Sequence, residues 1–377
     1  MNILFVFWGV KGGGALYSYN ICKRMSQEKP KGEFFISISR KNDYYDEFNK
    51  LNAGFFYIDG VHSISELVLY RFYKKQILKR RLVSFLKKHQ IDTIILGMGH
   101  MISDVLVDAA KKCQTNLIPV IHEPTSHIGD FFLSKTYKNI VRRKLISSAS
   151  GIVTLTESVK KELIENHSIP SEKIEVIKHG KFSYFKNNSP IDISDSPVIN
   201  LLFFGRIEYY KGLDLLLEAF DLIGKKNPKL NLHIYGKGKI DRYDIVVKHD
   251  KRIIVNNNWI SEEDITDIFK NAHICVLPYR KASQSGVVGI AIEAGVPIIT
   301  TPIAGIVEQV KDSGAIITTD FSAESIAKSI DLLVNNTSLF KELSQNSINC
   351  QGSSDWASIA AELNQFCINL LKQHQMH

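Results

Sequence analysis

Two basic residues, Arg206 and Lys211, follow an apolar run that ends at Gly205. Parallel strands place ligands just beyond their carboxyl ends, so side chains in this position can meet a bound molecule. An arginine and a lysine beside the start of a helix can hold a diphosphate together, since the helix N-terminus also favours an anion. The alternative is a pair of surface charges on a loop. The position directly after a buried strand favours the diphosphate site.

A second candidate site lies in residues 283–297, SQSGVVGIAIEAGVP, whose single carboxylate is Glu293. The pattern predicts a helix over 286–294, directly after Ser285. The first amides of a helix have no partner within it and can receive a phosphate; here they belong to Gly286, Val287 and Val288. Glu293 follows about two turns later among small and apolar residues. A plain surface glutamate is a poor explanation, because an acid in apolar surroundings needs hydrogen-bond partners.

The glycine-rich stretch FWGVKGGGALY, residues 7–17, joins the first predicted strand to the first predicted helix. Gly13 and Gly14 open that helix, and glycine allows the backbone to approach a ligand closely. The spacing is not GxGxxG, so the stretch does not indicate a dinucleotide site. A tight turn is the alternative. Three adjacent glycines are more than a turn needs, which favours a loop that faces the ligand.

The sequence lacks the residue patterns that several other chemistries require. The chain has no D-x-D sequence that would place a divalent metal on a diphosphate, and no spacing that defines a nucleophile with its base and acid. Its five cysteines are scattered without a CxxC pair, which predicts reduced thiols and a cytoplasmic protein. The first residues, MNILFVFW, predict a buried strand rather than a signal peptide. No apolar run approaches the roughly 18 residues of a membrane-spanning helix.

The elements that must position these residues alternate along the chain. Apolar runs at 2–8, 33–39, 53–58, 92–98, 116–122 and 151–156 alternate with predicted helices at 14–28, 64–89, 101–113, 135–148 and 157–166. A polar stretch at 186–197 indicates a linker, and the alternation restarts with runs at 198–205, 231–236, 252–257, 273–279 and 297–301. Further helices are predicted at 212–224, 261–272 and 322–335. This pattern predicts two α/β domains with parallel, doubly wound sheets. They span 1–190 and 198–354. A last helix is predicted at 356–373, and the sequence leaves open which of the two domains it packs on.

The positive charge is concentrated in the first half of the chain. Residues 1–197 contain 29 Lys and Arg against 19 Asp and Glu, whereas the remainder is slightly acidic. Residues 70–90 hold eight of these basic residues and no acid, with apolar positions at helical spacing, including Tyr73 and Ile77. The apolar stripe predicts packing on the domain's own sheet. The basic face either contacts an anionic membrane or is simply solvated.

Taken together, these motifs resemble those of the retaining glycosyltransferases of family 4, which have the two-Rossmann glycosyltransferase B (GT-B) fold. FFGRIEYYKGLDLLLEAF is similar to the family's G-R-x4-K-G signature, IYGKGK to its G-x-G turn, and TTPIAGIVEQV to the segment after its E-x7-E motif. The resemblance implies that Arg206 and Lys211 bind the donor diphosphate and that Glu293 holds the donor ribose hydroxyls. It also suggests that His122, in PVIHEP, lies near the transferring sugar; a capping or core histidine is the alternative.

This sequence departs from the family pattern at three positions. Ser285 stands where the first acid of the E-x7-E motif, which contacts the donor sugar, would fall. His179 replaces a usual Asn, and Ala304 replaces a common Gly. The change at Ser285 removes a charge but keeps a hydrogen-bonding group, which predicts a different preference for the donor sugar.

The resemblance implies a hexosyltransferase-type enzyme that moves a sugar from a UDP- or GDP-sugar to a glycan or lipid-linked acceptor. Surface polysaccharide or lipopolysaccharide assembly is the expected setting, in the cytoplasm or on the inner face of the cell membrane. No metal cofactor and no nucleic-acid partner are indicated. Two alternatives stay open: a sugar-nucleotide 2-epimerase of the same fold, and a non-catalytic two-domain sugar-binding protein. The epimerase needs acidic and histidine groups to move a proton, and the predicted cleft is poor in acids.

Overall fold

The chain forms two compact units, Met1–Gly180 with Ser354–His377, and Lys181–Ser353. The computed structural model describes residues 1–28, 32–60, 66–67, 70–123, 132–180, 182, 184–185, 189–243, 249–350 and 355–375. The first unit ends earlier than the predicted boundary at 190 because Phe182, Tyr184 and Phe185 pack against a core of the second unit. The predicted start of a helix at 64, linker residues 186–188 and the boundary at 354 lie outside the described residues.

The first unit contains one parallel sheet. Its strands are β1 (Ile3–Phe7), β2 (Phe34–Ser39), β3 (Gly54–Ile58), β4 (Thr93–Leu96), β5 (Asn116–Ile121), β6 (Ile152–Thr154) and β7 (Ile174–Val176). They lie in the order β3-β2-β1-β4-β5-β6-β7. Its helices are α1 (Gly13–Gln27), α2 (Tyr45–Asn49), α3 (Lys75–Lys88), α4 (Asp104–Cys113), α5 (Phe132–Ser147) and α6 (Glu157–His167).

Strand β1 shows why the sequence forms a doubly wound sheet. Its residues alternate between two buried clusters: Phe5 and Phe7 join one, and Leu4 and Val6 join the other. A strand buried on both faces needs apolar residues throughout, which is the pattern of a parallel sheet covered by helices on each side.

The basic segment 70–90 begins with a π-helical turn, Tyr70–Lys74, that continues into α3. Leu78, Leu82 and Leu86 are buried as predicted, but Tyr73 and Ile77 are 72% and 58% exposed. Ile77 precedes Leu78 by one residue, which is about 100° around a helix, so the two side chains face different directions. The apolar stripe is therefore narrower than the sequence predicts.

The second unit repeats the architecture. Its strands are β8 (Ile199–Phe204), β9 (Leu230–Tyr235), β10 (Ile253–Asn256), β11 (Ile274–Leu277), β12 (Ile298–Thr300) and β13 (Ala315–Ile317), in the order β10-β9-β8-β11-β12-β13, all parallel. Its helices are α7 (Leu213–Gly224), α8 (Glu262–Lys270), α9 (Gly286–Ala294), α10 (Ala304–Val310), α11 (Ala323–Asn335) and α12 (Thr337–Asn349). The sequence pattern did not predict β7, β13, α2, α10 or α12.

The last helix, α13 (Trp356–Gln375), belongs to the first unit. It packs against α1 and adds Trp356, Leu363 and Leu370 to the core beside β1. Gly151 has no space for a side chain, because a Cβ atom there would lie 2.6 Å from Leu370 Cδ1. Among the described residues, no helix combines the length and the apolar character that crossing a membrane requires.

Candidate active site

The strand order of the second unit determines where a ligand can bind. The chain runs outward from β8 through β9 to β10, then returns to place β11 on the other side of β8. At such a reversal the loops after the two central strands separate and leave a crevice at the carboxyl edge of the sheet. The loops after β8 and β11 carry Arg206, Lys211 and Ser285, so the fold brings these predicted site residues to one edge.

The turn after β8 is shaped by two glycines. Gly205 has φ +115°, and a Cβ atom there would approach Lys211 Nζ to 3.5 Å. Gly212 has φ +68°, and a Cβ atom there would lie 1.8 Å from the carbonyl oxygen of Pro278. A 3-10 turn, Tyr209–Lys211, joins them. Gly212 therefore lets the turn lie close against Pro278, directly after β11. Arg206 is exposed on the same turn.

The Lys211 ammonium is held by a tyrosine that the sequence analysis did not single out. Lys211 Nζ donates a 2.6 Å hydrogen bond to Tyr279 Oη and lies 4.0 Å from the centre of the same ring. Tyr279 is 1% exposed, and burial raises its pKa well above the ordinary value. The phenol therefore stays neutral and accepts from the lysine. Only its position at the end of the apolar run 273–279 could have indicated this role.

A further arginine near the site has a structural partner. Arg280 donates two hydrogen bonds, of 2.8 and 2.6 Å, to the Asp214 carboxylate in the first turn of α7. It also lies over the Tyr209 ring at 4.4 Å. A bidentate pair of this kind fixes geometry strongly. Arg280 thus ties the loop after β11 to the start of α7.

The start of α9 only partly matches the predicted row of free amides. The Val288 N–H donates to the Ser285 carbonyl oxygen at 3.2 Å, so this amide is already used in a tight first turn. The prediction of a free amide at Val288 is wrong for that reason. Within the described part of the chain, the amides of Gly286 and Val287 have no such bond. The N-terminus of α9 therefore offers two donors rather than three.

Glu293 lies two turns into α9, half-buried as its neighbours suggested. Its Oε1 atom accepts a 3.4 Å hydrogen bond from the Phe185 backbone N–H. Burial, with Glu293 as a second cause, raises the pKa of Tyr184 to about 12. Phe182 lies above the same helix, since Cβ atoms at Gly286 and Gly289 would each come within 3.4 Å of its ring. An aromatic segment thus borders the carboxylate and the first turn of α9.

His122 lies in the first unit at the carboxyl end of β5, beside Tyr17, His179 and Trp356. The Tyr17 ring centre is 5.0 Å from that of His122 and 5.3 Å from that of His179. His122 Nε2 donates to the Gly97 carbonyl oxygen at 2.8 Å, and His179 Nδ1 donates to that of Gly180 at 2.8 Å. Burial lowers the pKa of His122 and lowers that of His179 to about 4. Both rings are therefore neutral at pH 7.

Gly13 and Gly14 differ in their surroundings. Gly13 is exposed, and a Cβ atom there would meet nothing within 4 Å. Gly14 is buried, and a Cβ atom there would lie 2.6 Å from Met98 Cε. Packing against Met98 alone explains why residue 14 is a glycine, whereas the space at Gly13 is open to a ligand.

The described residues contain no group of three or more His, Cys, Asp or Glu arranged to hold a metal ion. Arg206, Lys211 and the first amides of α9 are groups of the second unit that can bind an anion.

Comparison with known proteins identifies the chain. The family model for glycosyl transferases group 1 matches residues 199–336, and the model for glycosyltransferase family 4 matches residues 11–180. An uncharacterized glycosyltransferase of Haemophilus influenzae is 24% identical over 349 residues, which cover 90% of this chain and 91% of the relative. The capsular polysaccharide biosynthesis glycosyltransferase CapM of Staphylococcus aureus is 27% identical over 220 residues, 52% of this chain and 56% of the relative.

The fold has solved counterparts. The crystal structure of Anabaena Alr3699/HepE in complex with UDP and glucose superposes with a TM-score of 0.74 at 16% identity, covering 96% of this chain and 98% of that one. Of the three classes that the sequence left open, the family models and the relatives support the transferase. The chain is thus an enzyme of the group 1 glycosyltransferases, in glycosyltransferase family 4, and it has the GT-B fold.

Proposed function

We propose that this glycosyltransferase uses a UDP- or GDP-sugar as donor and transfers the sugar with retention to a glycan or a lipid-linked acceptor in surface polysaccharide assembly. The observation that carries the proposal is the link from the Lys211 ammonium through Tyr279 Oη to Ser285, at the start of α9 and at the reversal point of the second sheet. This is the place where parallel α/β sheets bind nucleotides. The complex of HepE with UDP and glucose, and the role of CapM in capsular polysaccharide biosynthesis, agree with it.

The proposed reaction breaks the bond between the anomeric carbon and the diphosphate oxygen and forms a bond to an acceptor hydroxyl oxygen. The electron pair leaves with the nucleoside diphosphate, and the acceptor's proton passes to the departing phosphate oxygen on the same face. Arg206, Lys211 and the amides of Gly286 and Val287 stabilise the charge that develops there. Retention follows from the family resemblance.

The remaining predicted residues have proposed binding roles. Glu293 holds the ribose hydroxyls of the donor, and Ser285 contacts the donor sugar. Gly13 leaves space for the substrate beside the first helix. His122 contacts the transferring sugar as a neutral imidazole, because its Nε2–H is directed at Gly97 and its other ring nitrogen can accept.

A thermal-shift panel of UDP, GDP, ADP and their sugar conjugates tests the donor class. We expect one nucleoside diphosphate to raise the melting temperature, because binding only to the folded state stabilises it. At a nucleotide concentration 100-fold above Kd, the free energy of unfolding rises by about 2.7 kcal/mol. Absence of a shift with every nucleotide, checked by calorimetry, would reject the proposal.

We also propose that the first unit contacts an anionic membrane through the surface formed by Tyr73, Ile77, Lys74 and Arg80. Tyr73 and Ile77 lie one turn apart and expose apolar area beside cations, as interfacial helices do. Part of the helix charge is used within the fold, since Lys75 pairs with Asp104. The membrane surface is therefore smaller than the basic run 70–90.

Replacing Tyr73 and Ile77 by serine is expected to reduce binding to vesicles of anionic lipid about 10-fold at low salt, because two side chains lose their apolar burial. Sedimentation of the protein with vesicles measures the effect. Ile140→Ser, which alters another exposed isoleucine of the same unit, serves as control. Equal sedimentation of the double variant and wild type would contradict the proposal.

A further inference from the structure

Ser285 occupies the N-cap position of α9 but does not act as a cap. Its backbone is extended, with φ −141° and ψ 125°, yet its side chain accepts no bond from the helix. Two other serines of the same unit behave normally: Ser261 accepts from the Asp264 amide and Ser322 from the Ser325 amide. An N-cap serine usually makes this bond because it satisfies an otherwise unpaired amide. The Ser285 hydroxyl is therefore available for another partner.

Gln309, on α10, stabilises the turn in place of the missing cap. Its Oε1 atom accepts from the Ser285 N–H at 2.7 Å, and its Nε2 donates to the Ser285 carbonyl oxygen at 3.4 Å. These two bonds fix the backbone of Ser285 from outside the helix. The orientation of its side chain then depends on other contacts.

The Ser285 hydroxyl lies 3.4 Å from Tyr279 Oη, which already accepts from Lys211. A lysine ammonium has only donors, so it occupies a lone pair of Oη and leaves the tyrosine proton to point elsewhere. Tyr279 is almost fully buried and Ser285 is 5% exposed, so an unmade bond would be costly. Among the described residues, Ser285 Oγ is the acceptor within reach. Tyr279 therefore donates to Ser285, whose own proton points away from the tyrosine.

We propose that Tyr279 and Gln309 are positioning residues that make Ser285 a hydrogen-bond donor to the bound sugar, and that the enzyme favours a sugar whose oxygen is a stronger acceptor than a hydroxyl. The oxygen is the carbonyl of an acetamido group or the carboxylate of a uronic acid. This inference rests on the proposed function. A carboxylate at this position, as the family resemblance implies for related enzymes, could only accept and would repel a uronate. A hydroxyl at the end of a chain that starts at Lys211 is polarised to donate.

Isothermal titration calorimetry of the wild-type enzyme tests the selection. UDP-N-acetylglucosamine and UDP-glucuronate are compared with UDP-glucose, or GDP-mannuronate with GDP-mannose if the guanine nucleotide binds. The bare nucleoside diphosphate gives the baseline affinity. We expect the sugars with an acetamido or carboxylate group to bind about 3- to 10-fold more tightly than the sugar that offers only hydroxyls. Equal or tighter binding of UDP-glucose or GDP-mannose would overturn the inference.

Variants test the positioning roles. Tyr279→Phe and Ser285→Ala should each abolish this preference, measured as the affinity ratio between the paired sugars, and the double variant should lose no more than either single one. Ser285→Glu should reverse the preference. Tyr209→Phe, on an exposed tyrosine of the neighbouring turn, should keep the wild-type ratio. An unchanged ratio in Tyr279→Phe would reject its positioning role.

If wild type binds neither UDP nor GDP, the proposed function fails. Nucleotide binding without a sugar preference overturns this inference alone.

Discussion

Replacing Lys211 by alanine is expected to lower kcat for sugar transfer by about 100- to 1,000-fold, the cost of removing one preorganised charge-stabilising donor. The ammonium is fixed by Tyr279 Oη at 2.6 Å, so it requires little reorganisation as charge develops on the leaving diphosphate. Steady-state kinetics with the donor found by the nucleotide panel measure the effect. Release of nucleoside diphosphate without an acceptor provides a second readout.

Two controls separate this effect from damage to the fold. Lys211→Met keeps the apolar stem of the side chain and should lose the same activity, since the charge is what matters. Lys225→Ala removes a 75%-exposed lysine after the end of α7 and should leave kcat unchanged. Both variants should melt close to wild type. Turnover in Lys211→Ala within a factor of about three of wild type would reject the diphosphate role, because such a loss is far below that of an oxyanion donor.

Glu293→Ala is expected to weaken nucleotide binding about 10- to 100-fold, since hydrogen bonds to a charged group contribute about 1.5–3 kcal/mol. The carboxylate is half-buried on α9 and already accepts from the Phe185 N–H, so its orientation is fixed before the nucleotide arrives. Calorimetry with the nucleoside diphosphate measures the loss. The effect should fall mainly on affinity, because the ribose bonds are made equally in ground and transition states.

A nucleotide analogue distinguishes a ribose contact from an indirect effect. Wild type should lose affinity for the 2′,3′-dideoxy nucleoside diphosphate, whereas Glu293→Ala should bind the natural and dideoxy forms alike. Glu324→Ala, on an exposed glutamate in the first turn of α11, is the matched control. Unchanged affinity of Glu293→Ala for the natural nucleotide would contradict the ribose role.

The sequence predicted the central strands well because their residues are buried on both faces. β1, β2, β5 and β8 all lie within predicted apolar runs, and the family and fold inferred from the motifs are confirmed. The sequence missed the edge strand β7, which has three residues, one of them the exposed Glu175. Edge strands are often very short and can carry charged residues, so β7 gives no apolar run to recognise.

The motifs around Arg206 and Lys211 could be recognised from the sequence because both lie just after a strand end, and Glu293 stood out as an acid among small and apolar residues. The residue types also predicted a helix over 286–294, and the structure confirms it as α9. The free amide predicted at Val288 was wrong, because its N–H donates to the Ser285 carbonyl oxygen, and residue types alone do not reveal this bond.

The residues themselves determined the two-domain α/β class and the family, since alternating apolar runs and glycine-bearing turns are local properties of the chain. Only the tertiary structure joined Lys211 to Tyr279 and Ser285, which lie far along the chain from it. They meet because β11 pairs with β8 rather than with β10, which precedes it in the chain. Which strands become neighbours depends on packing across the whole sheet, and no short stretch of sequence contains that information.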